Sequence, residues 1–134
     1  MTPRLLLVED NPDNMRLLRD WLETENFAVD EAIDLSEARE SIERKVPDAV
    51  LLDVRVGAED GLDLARWIRT DARFCQLPII AVTAHALPRE HENILAEGCN
   101  AIVSKPIDFR QLFRVLNLWL EIGRRRAAQR AHAQ

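Results

Sequence analysis

The regular alternation of short apolar runs with amphipathic segments constrains the fold of this chain more than any other feature. Five segments have strand character, four as apolar runs and one as an apolar–polar alternation: 4–8, 27–33, 49–52, 79–82 and 101–103. Each is followed by a segment whose apolar residues recur at helical spacing: 12–25, 36–45, 61–70, 89–97 and 108–122. Five strand–helix units in succession predict an α/β fold, a doubly wound five-stranded parallel sheet with helices on both faces.

A chain of 134 residues suits a single domain. We predict a globular domain over residues 1–122 and a basic tail over 123–134, either a helical overhang or disordered. The formal net charge of −5 argues against nucleic acid as a partner. No run approaches the roughly 20 apolar residues that cross a membrane, so we expect no membrane association. Isolated cysteines and the lack of a signal-peptide pattern favour a cytoplasmic protein.

Polar and charged side chains that could take part in chemistry follow four of the predicted strands. Glu9 and Asp10 follow the first strand and Asp53 follows the third. Thr83 follows the fourth, and Lys105 comes shortly after the fifth. Because the carboxyl ends of parallel strands meet at one edge of the sheet, and sites form there, we expect these side chains to converge.

Three clustered carboxylates repel one another unless a cation neutralises them. Mg²⁺ suits oxygen ligands, with Mn²⁺ as a possible substitute, and it stabilises the charge that develops in phosphoryl transfer. Lys105 adds a second positive charge and Thr83 adds a hydroxyl donor. A carboxylate nucleophile in these surroundings predicts a site that forms an acyl phosphate.

Five sequence segments resemble the receiver domains of two-component response regulators, especially the stand-alone, single-domain type. They are VEDNPDN at 8–14, LLDV at 51–54, Gly61, AVTAHA at 81–86 and GCNAIVSKPI at 98–107. The resemblance covers about residues 3–121 and implies the flavodoxin-like strand order 2-1-3-4-5. It also implies a signalling module rather than an enzyme with a separate substrate, one that signals through phosphorylation-dependent protein contacts.

The resemblance implies a role for each residue at the acidic edge. Asp53 is the phosphorylation site, which accepts the phosphoryl group of a phosphohistidine. Asp10 and Asp53 bind the metal ion directly, Glu9 acts mainly through a water molecule, and the backbone carbonyl of Arg55 completes the protein ligands. Lys105 contacts the phosphoryl group.

The resemblance further implies that Thr83 moves to hydrogen-bond the phosphoryl group and so acts as a switch. Two positions depart from the family pattern. Gly57 replaces a common proline, so we expect a more mobile loop after Asp53. Ile102 replaces the usual Tyr or Phe, which leaves open whether it takes part in switching or only fills the inward pocket.

The implied partners are a histidine kinase or a histidine-phosphotransfer protein, and a downstream protein target. On helix 12–25, Met15 and Leu17 cannot both face inward with Leu18 and Leu22, so we predict an exposed apolar surface for the phosphodonor. We also predict that Arg55 and His85 shield the phosphoryl group from water and set its lifetime. The alternative is that both are solvated side chains.

A second apolar stripe on the last helix predicts an output surface. Leu112, Phe113, Leu116 and Trp119 form the natural core face, and the second stripe lies beside it: Val115, Leu118 and Ile122. The stripe would bind a target or form a homodimer through the fourth helix, fifth strand and fifth helix. A broadly buried helix, or isolated exposed apolar residues, is the alternative.

Specific residues argue against two other functions. A haloacid-dehalogenase-like phosphohydrolase needs a second Asp two residues after its nucleophile, where this chain has Arg55. A flavodoxin-like flavin protein needs a Ser/Thr-rich phosphate loop after the first strand, where this chain has Glu9 and Asp10. A degenerate receiver that is never phosphorylated, and a receiver excised from a hybrid histidine kinase, stay open at the level of sequence.

Overall fold

The computed structural model describes residues 2–84 and 87–133. These residues form seven strands, listed in chain order: β1 Arg4–Val8, β2 Ala28–Ala32, β3 Ala49–Asp53, β4 Arg55–Val56, β5 Glu59–Asp60, β6 Ile79–Thr83 and β7 Ala101–Ser104. They also form five helices: α1 Pro12–Thr24, α2 Leu35–Arg44, α3 Leu62–Thr70, α4 Pro88–Ala96 and α5 Phe109–Ala133. Among the described residues, no helix has the length and apolar character needed to span a membrane.

Five of the strands form a parallel sheet in the order β2-β1-β3-β6-β7. Numbered by strand–helix unit, this order is 2-1-3-4-5, which confirms the predicted flavodoxin-like fold. The register places Val8 opposite Leu52, Asp53 opposite Val82, and Thr83 opposite Ser104. The ends of β1, β3, β6 and β7 therefore lie side by side at one edge of the sheet.

Two apolar layers cover the two faces of the sheet because successive strand residues point to opposite sides. Leu6, Leu52 and Ala81 pack with residues of α2, α3 and α4. Leu5 and Leu51 pack on the other side with residues of α1 and α5. β1, β3 and β6 are buried on both faces, as their continuous apolar composition predicts, whereas Glu31 of β2 is exposed, as the alternation in that strand predicts.

Side-chain caps fix where the first two helices begin. The Oδ1 atom of Asn11 accepts hydrogen bonds from the backbone N–H groups of Asp13 and Asn14, at 2.9 and 3.1 Å, so α1 begins directly after the acidic pair. For α2 the cap is Asp34, whose carboxylate accepts the N–H of Glu37 at 2.8 Å. This helix therefore begins before Ser36, which the sequence pattern favoured as its start.

A small antiparallel hairpin, β4–β5, was not predicted from the sequence. Its two-residue turn begins at Gly57, whose φ of 60° is the conformation that a type II′ turn requires at this position. Val56 anchors the hairpin in the core, and the carboxylate of Glu59 accepts the backbone N–H of Leu35 at 3.2 Å. Strands of two residues are too short to show a periodic pattern.

The last helix continues to Ala133, eleven residues past the end that its apolar pattern predicts at 122. The basic tail is thus helical through Ala133. It also touches the body of the domain, because the guanidinium of Arg130 donates a hydrogen bond to the side-chain oxygen of Gln76 at 2.8 Å.

Candidate functional site

Three carboxylates meet at the carboxyl edge of the sheet, as the sequence predicts. Glu9 and Asp10 lie in the loop between β1 and α1, and Asp53 is the last residue of β3. One oxygen from each carboxylate lies within 4.8 Å of the other two. Glu9 and Asp53 are buried, whereas Asp10 is exposed. Asp10 is therefore the carboxylate of the cluster that is most accessible to solvent.

The side chain of Lys105 is the cation that contacts this cluster. Its Nζ atom lies 2.8 Å from Oδ2 of Asp53 and 3.9 Å from Oε2 of Glu9. Burial alone would lower the pKa of Lys105, but the hydrogen bond that Lys105 donates to Asp53 and the charges of the three carboxylates outweigh burial and raise that pKa. Lys105 is therefore charged. Its peptide bond to Pro106 is cis.

The three carboxylates carry more negative charge than the one ammonium of Lys105 neutralises, and the pKa of Glu9 is raised as a result. Burial of its side chain, together with the hydrogen bond and charge of Asp53, raises the pKa of Glu9 to about 7. The backbone N–H of Asn11 and the charge of Lys105 oppose this rise. Near neutral pH and without a metal, Glu9 therefore holds a proton for part of the time. A cation must displace that proton, so its binding is favoured as pH rises through this range.

Backbone groups fix the orientation of Asp53. The N–H of Arg55 donates to Oδ1 of Asp53 at 3.1 Å, so one carboxylate oxygen faces the backbone and the other faces Lys105. Thr83 is buried at the end of β6, and its backbone oxygen accepts the N–H of Lys105 at 2.8 Å. The side chain of Arg55 is exposed, and its proposed companion His85 lies outside the described residues.

Gly61 packs closely against the backbone of Asp53 and Val54. Its N–H donates to the oxygen of Val54 at 2.7 Å, which closes the loop that contains the hairpin. A Cβ atom at position 61 would lie 2.2 Å from the backbone oxygen of Asp53, a distance that no real Cβ atom tolerates. The sequence marks Gly61 as part of the resemblance, but only the structure shows that its hydrogen-only side chain is needed for this contact.

The response regulator receiver domain family matches residues 5–117. The chain belongs to that family. It is a receiver domain of a two-component system, which confirms the resemblance and the predicted class of function.

Relatives of this receiver domain include stand-alone regulators and parts of larger proteins. The polar-differentiation response regulator DivK of Brucella ovis is 32% identical over 120 residues, covering 90% of this chain and 98% of that protein. The receiver domain of the sensor histidine kinase PA1611 from Pseudomonas aeruginosa, solved with a magnesium ion in its active-site cleft, is 36% identical with a TM-score of 0.82, covering 90% and 99%. The signal receiver domain of a putative LuxO repressor protein from Vibrio parahaemolyticus reaches a TM-score of 0.87 at 25% identity, covering 96% and 97%.

The predicted partner surface on α1 needs one correction. Leu17 is 59% exposed, but Met15 is 4% exposed and packs in the core, so Met15 is not part of a surface. Met15, Leu18 and Leu22 follow one another at helical spacing and form the inward stripe of α1, whereas Leu17 lies beside that stripe.

The structure also separates the residues of the predicted output stripe. Leu118 is 56% exposed, whereas Val115 and Ile122 are half-buried and Val115 packs against the α1–α5 side of the core. Ile102 is half-buried as well and packs against the opposite core layer, beneath α4. This position fits both interpretations of Ile102.

An apolar cavity beside Asp53 was not predicted from the sequence. It has a volume of about 350 Å³ and is lined by Leu17, Leu18, Ile107 and Phe109, with Asp53 at its border. Residues of α1 and of the segment after β7 meet here only in the folded chain, so no local pattern signals it. The exposed side of α1 is thus continuous with the acceptor site.

Proposed function

We propose that this receiver domain accepts a phosphoryl group from a phosphohistidine onto Asp53 in a Mg²⁺-dependent reaction. The observation that supports this assignment most directly is the contact of 2.8 Å between Lys105 Nζ and Asp53 Oδ2, beside two further carboxylates. A buried carboxylate at the centre of three charged groups suits a nucleophile better than a surface cap. The proposed chemistry is limited to the domain's own phosphorylation and dephosphorylation.

The donor set fits a hard divalent cation. Three carboxylates offer oxygen ligands within 4.8 Å of one another: those of Glu9, Asp10 and Asp53. Arg55, whose backbone carbonyl would be a further ligand, is two residues after Asp53. Mg²⁺ bound there would neutralise the excess negative charge and the charge of the incoming phosphoryl oxygens. Mn²⁺ prefers the same ligands and would substitute for it.

The transfer step assigns one task to each side chain. An oxygen of Asp53 attacks phosphorus in line while the P–N bond to the imidazole of the donor breaks, and the electron pair of that bond stays on the imidazole nitrogen. The new O–P bond is an acyl phosphate. Lys105 moves its hydrogen bond from Asp53 to a phosphoryl oxygen, and the hydroxyl of Thr83 hydrogen-bonds another, so Thr83 reports the state of Asp53.

Intact mass spectrometry tests the site. Incubation with acetyl phosphate and Mg²⁺ is expected to add one phosphate-sized mass to the wild-type protein and none to Asp53→Asn, because the amide is a far weaker nucleophile than the carboxylate. EDTA is expected to abolish the gain. A full gain in Asp53→Asn, or in wild type with EDTA, would overturn the assignment.

We also propose that the phosphodonor docks against α1. Leu17 is exposed and lines the apolar cavity that borders Asp53, so a partner covering it would bring its phosphohistidine to the site. Leu17→Lys is expected to slow transfer from a phosphorylated cognate kinase or phosphotransfer protein at least tenfold and to leave labelling by acetyl phosphate unchanged. Leu118→Lys, an equally exposed change on α5, is the matched control. Equal loss with both donors would show damage to the acceptor site instead.

The proposed output surface is the face formed by α4, β7 and α5, used for a downstream target or a homodimer. Three exposed leucines lie on its two helices or at their start: Leu87, Leu95 and Leu118. Leu118→Glu is expected to weaken self-association or target capture at least fivefold without changing phosphorylation, with Leu17→Glu as the control. Sedimentation and pull-down identical to wild type would exclude Leu118 from the surface.

Two further proposals concern the bounds of the domain and its location in the cell. We place the receiver domain at residues 1–122 and treat 123–134 as a separate basic extension of its last helix. We propose the cytoplasm as its location, since Cys75 and Cys99 are both free thiols, as a reducing compartment requires.

A further inference from the structure

We propose that the domain carries a second binding site, for an acidic polypeptide segment, at the edge of the sheet opposite Asp53. The site is a cavity of about 680 Å³ between the end of α5 and the segments 2–3, 46–48 and 72–78. We call it the basal groove. It goes beyond the phosphoacceptor function, because it uses none of the residues assigned to that function.

The topology separates the basal groove from the acceptor site. Segments 2–3, 46–48 and 72–78 precede β1, β3 and β6, so they lie at the amino ends of these strands. Asp53 lies at the carboxyl end of β3, five residues after Asp48 and so about 16 Å away along the strand. The α5 helix reaches both edges because it continues past the sheet to Ala133.

The walls of the basal groove leave an elongated opening. On α5, the lining residues Leu120, Gly123, Ala127 and Arg130 follow one another at helical spacing and extend over about 15 Å of helix. Two of these positions carry small residues, Gly123 and Ala127, and a Cβ atom at position 123 would make an ordinary contact with Pro78 at 3.7 Å. An opening of this length matches about four or five residues of extended chain.

Charge at the basal groove is opposite to the charge of the rest of the molecule. Five charged residues line the groove, the three arginines Arg73, Arg124 and Arg130 and the two acidic residues Asp48 and Glu121, and Arg125 and Arg126 follow in the sequence of α5. Four of these five charged residues already have partners: Asp48 accepts the backbone N–H of Arg4, Glu121 pairs with Arg124, and Arg73 pairs with Asp71 and Glu43. Arg130 contacts only the neutral amide of Gln76 among the described residues, so its charge is free for a ligand.

These features together favour an acidic polypeptide over nucleic acid. The floor is apolar, with Leu77, Pro78 and Leu120, and suits the side chains of a peptide. Arginine guanidinium groups form paired hydrogen bonds with carboxylates. Phe74 is 3% exposed and offers no face for base stacking.

A labelled peptide tests the proposal. The probe is a fluorescein-labelled 12-residue peptide of alternating Glu and apolar residues, measured by anisotropy at low salt with the full chain. Arg124→Glu/Arg130→Glu is expected to weaken binding at least tenfold. Arg110→Glu/Arg114→Glu, which makes the same charge change at exposed positions of α5 outside the groove, is expected to weaken it less than threefold. Gly123→Leu, which fills the groove without a charge change, is expected to weaken binding at least fivefold.

The outcomes separate this site from the acceptor site. All variants are expected to be labelled at Asp53 by acetyl phosphate to the same extent as wild type. Peptide binding and labelling are measured separately, so a failure of the phosphoacceptor proposal would not affect the proposal of a basal groove site. Three results would overturn it: no saturable binding, equal loss in both charge-reversal variants, or equal binding of the same peptide with Lys in place of Glu. Displacement of the peptide by a single-stranded oligonucleotide would assign the groove to nucleic acid and overturn it as well.

Discussion

Gly61→Ala is expected to destabilise the domain by about 3 kcal/mol and to reduce phosphorylation of Asp53 at least tenfold. The added methyl group would lie 2.2 Å from the backbone oxygen of Asp53 and 3.0 Å from that of Val54. Both neighbours are backbone atoms at or just after the end of a central strand, so relief requires a backbone shift of β3 or of the loop that carries Gly61. Movement of β3 displaces the acceptor carboxylate from Lys105. Urea denaturation gives the free energy of unfolding, and intact mass after reaction with acetyl phosphate gives the labelling.

The matched control is Gly123→Ala. This glycine lies inside α5 and its new Cβ atom would be 3.7 Å from Pro78, an ordinary contact. Alanine at this position is expected to leave labelling unchanged and to stabilise the domain by up to about 1 kcal/mol, because glycine is a poor helix former. If Gly61→Ala is as stable and as readily labelled as wild type, then the close packing behind Asp53 does not hold the acceptor in place.

The fold was predictable because its signal is periodic. Each buried strand is a continuous apolar run, and each helix places its apolar residues on one side, so the order of elements follows from the sequence. Parallel pairing then brings the ends of β1, β3 and β6 together at one edge. The convergence of Glu9, Asp10 and Asp53 thus required no knowledge of side-chain geometry.

Features that depend on contacts between distant segments were not predictable. The hairpin β4–β5 contains two residues per strand, and the contact of Glu59 with Leu35 joins segments 24 residues apart. Met15 was assigned to a surface because its spacing relative to Leu17 shows only that one of them is exposed, not which one. Helical spacing fixes the relative directions of side chains, whereas the rotation of α1 against the sheet depends on packing.

Lys105→Met is expected to slow the phosphorylation of Asp53 by acetyl phosphate about a hundredfold or more while the domain stays folded. Methionine keeps most of the aliphatic part of the lysine side chain and removes only the charge. The ammonium group lies 2.8 Å from Asp53, and it is the protein cation placed to stabilise the charge of a transferring phosphoryl group. Removal of a preorganised donor of this kind costs roughly two to three powers of ten in rate.

Binding of Mg²⁺ to the same variant is expected to change in the opposite direction. The ammonium of Lys105 lies 2.8 Å from one carboxylate and 3.9 Å from another, so it repels a divalent cation at the cluster. Calorimetric titration of Lys105→Met is therefore expected to show unchanged or tighter Mg²⁺ binding, while mass spectrometry shows slow labelling. Lys45→Met, at an exposed position after α2, is expected to change neither quantity. Weaker Mg²⁺ binding together with slow labelling would mean that Lys105 supports the shape of the metal site. Labelling at the wild-type rate would mean that Asp53 is activated without it.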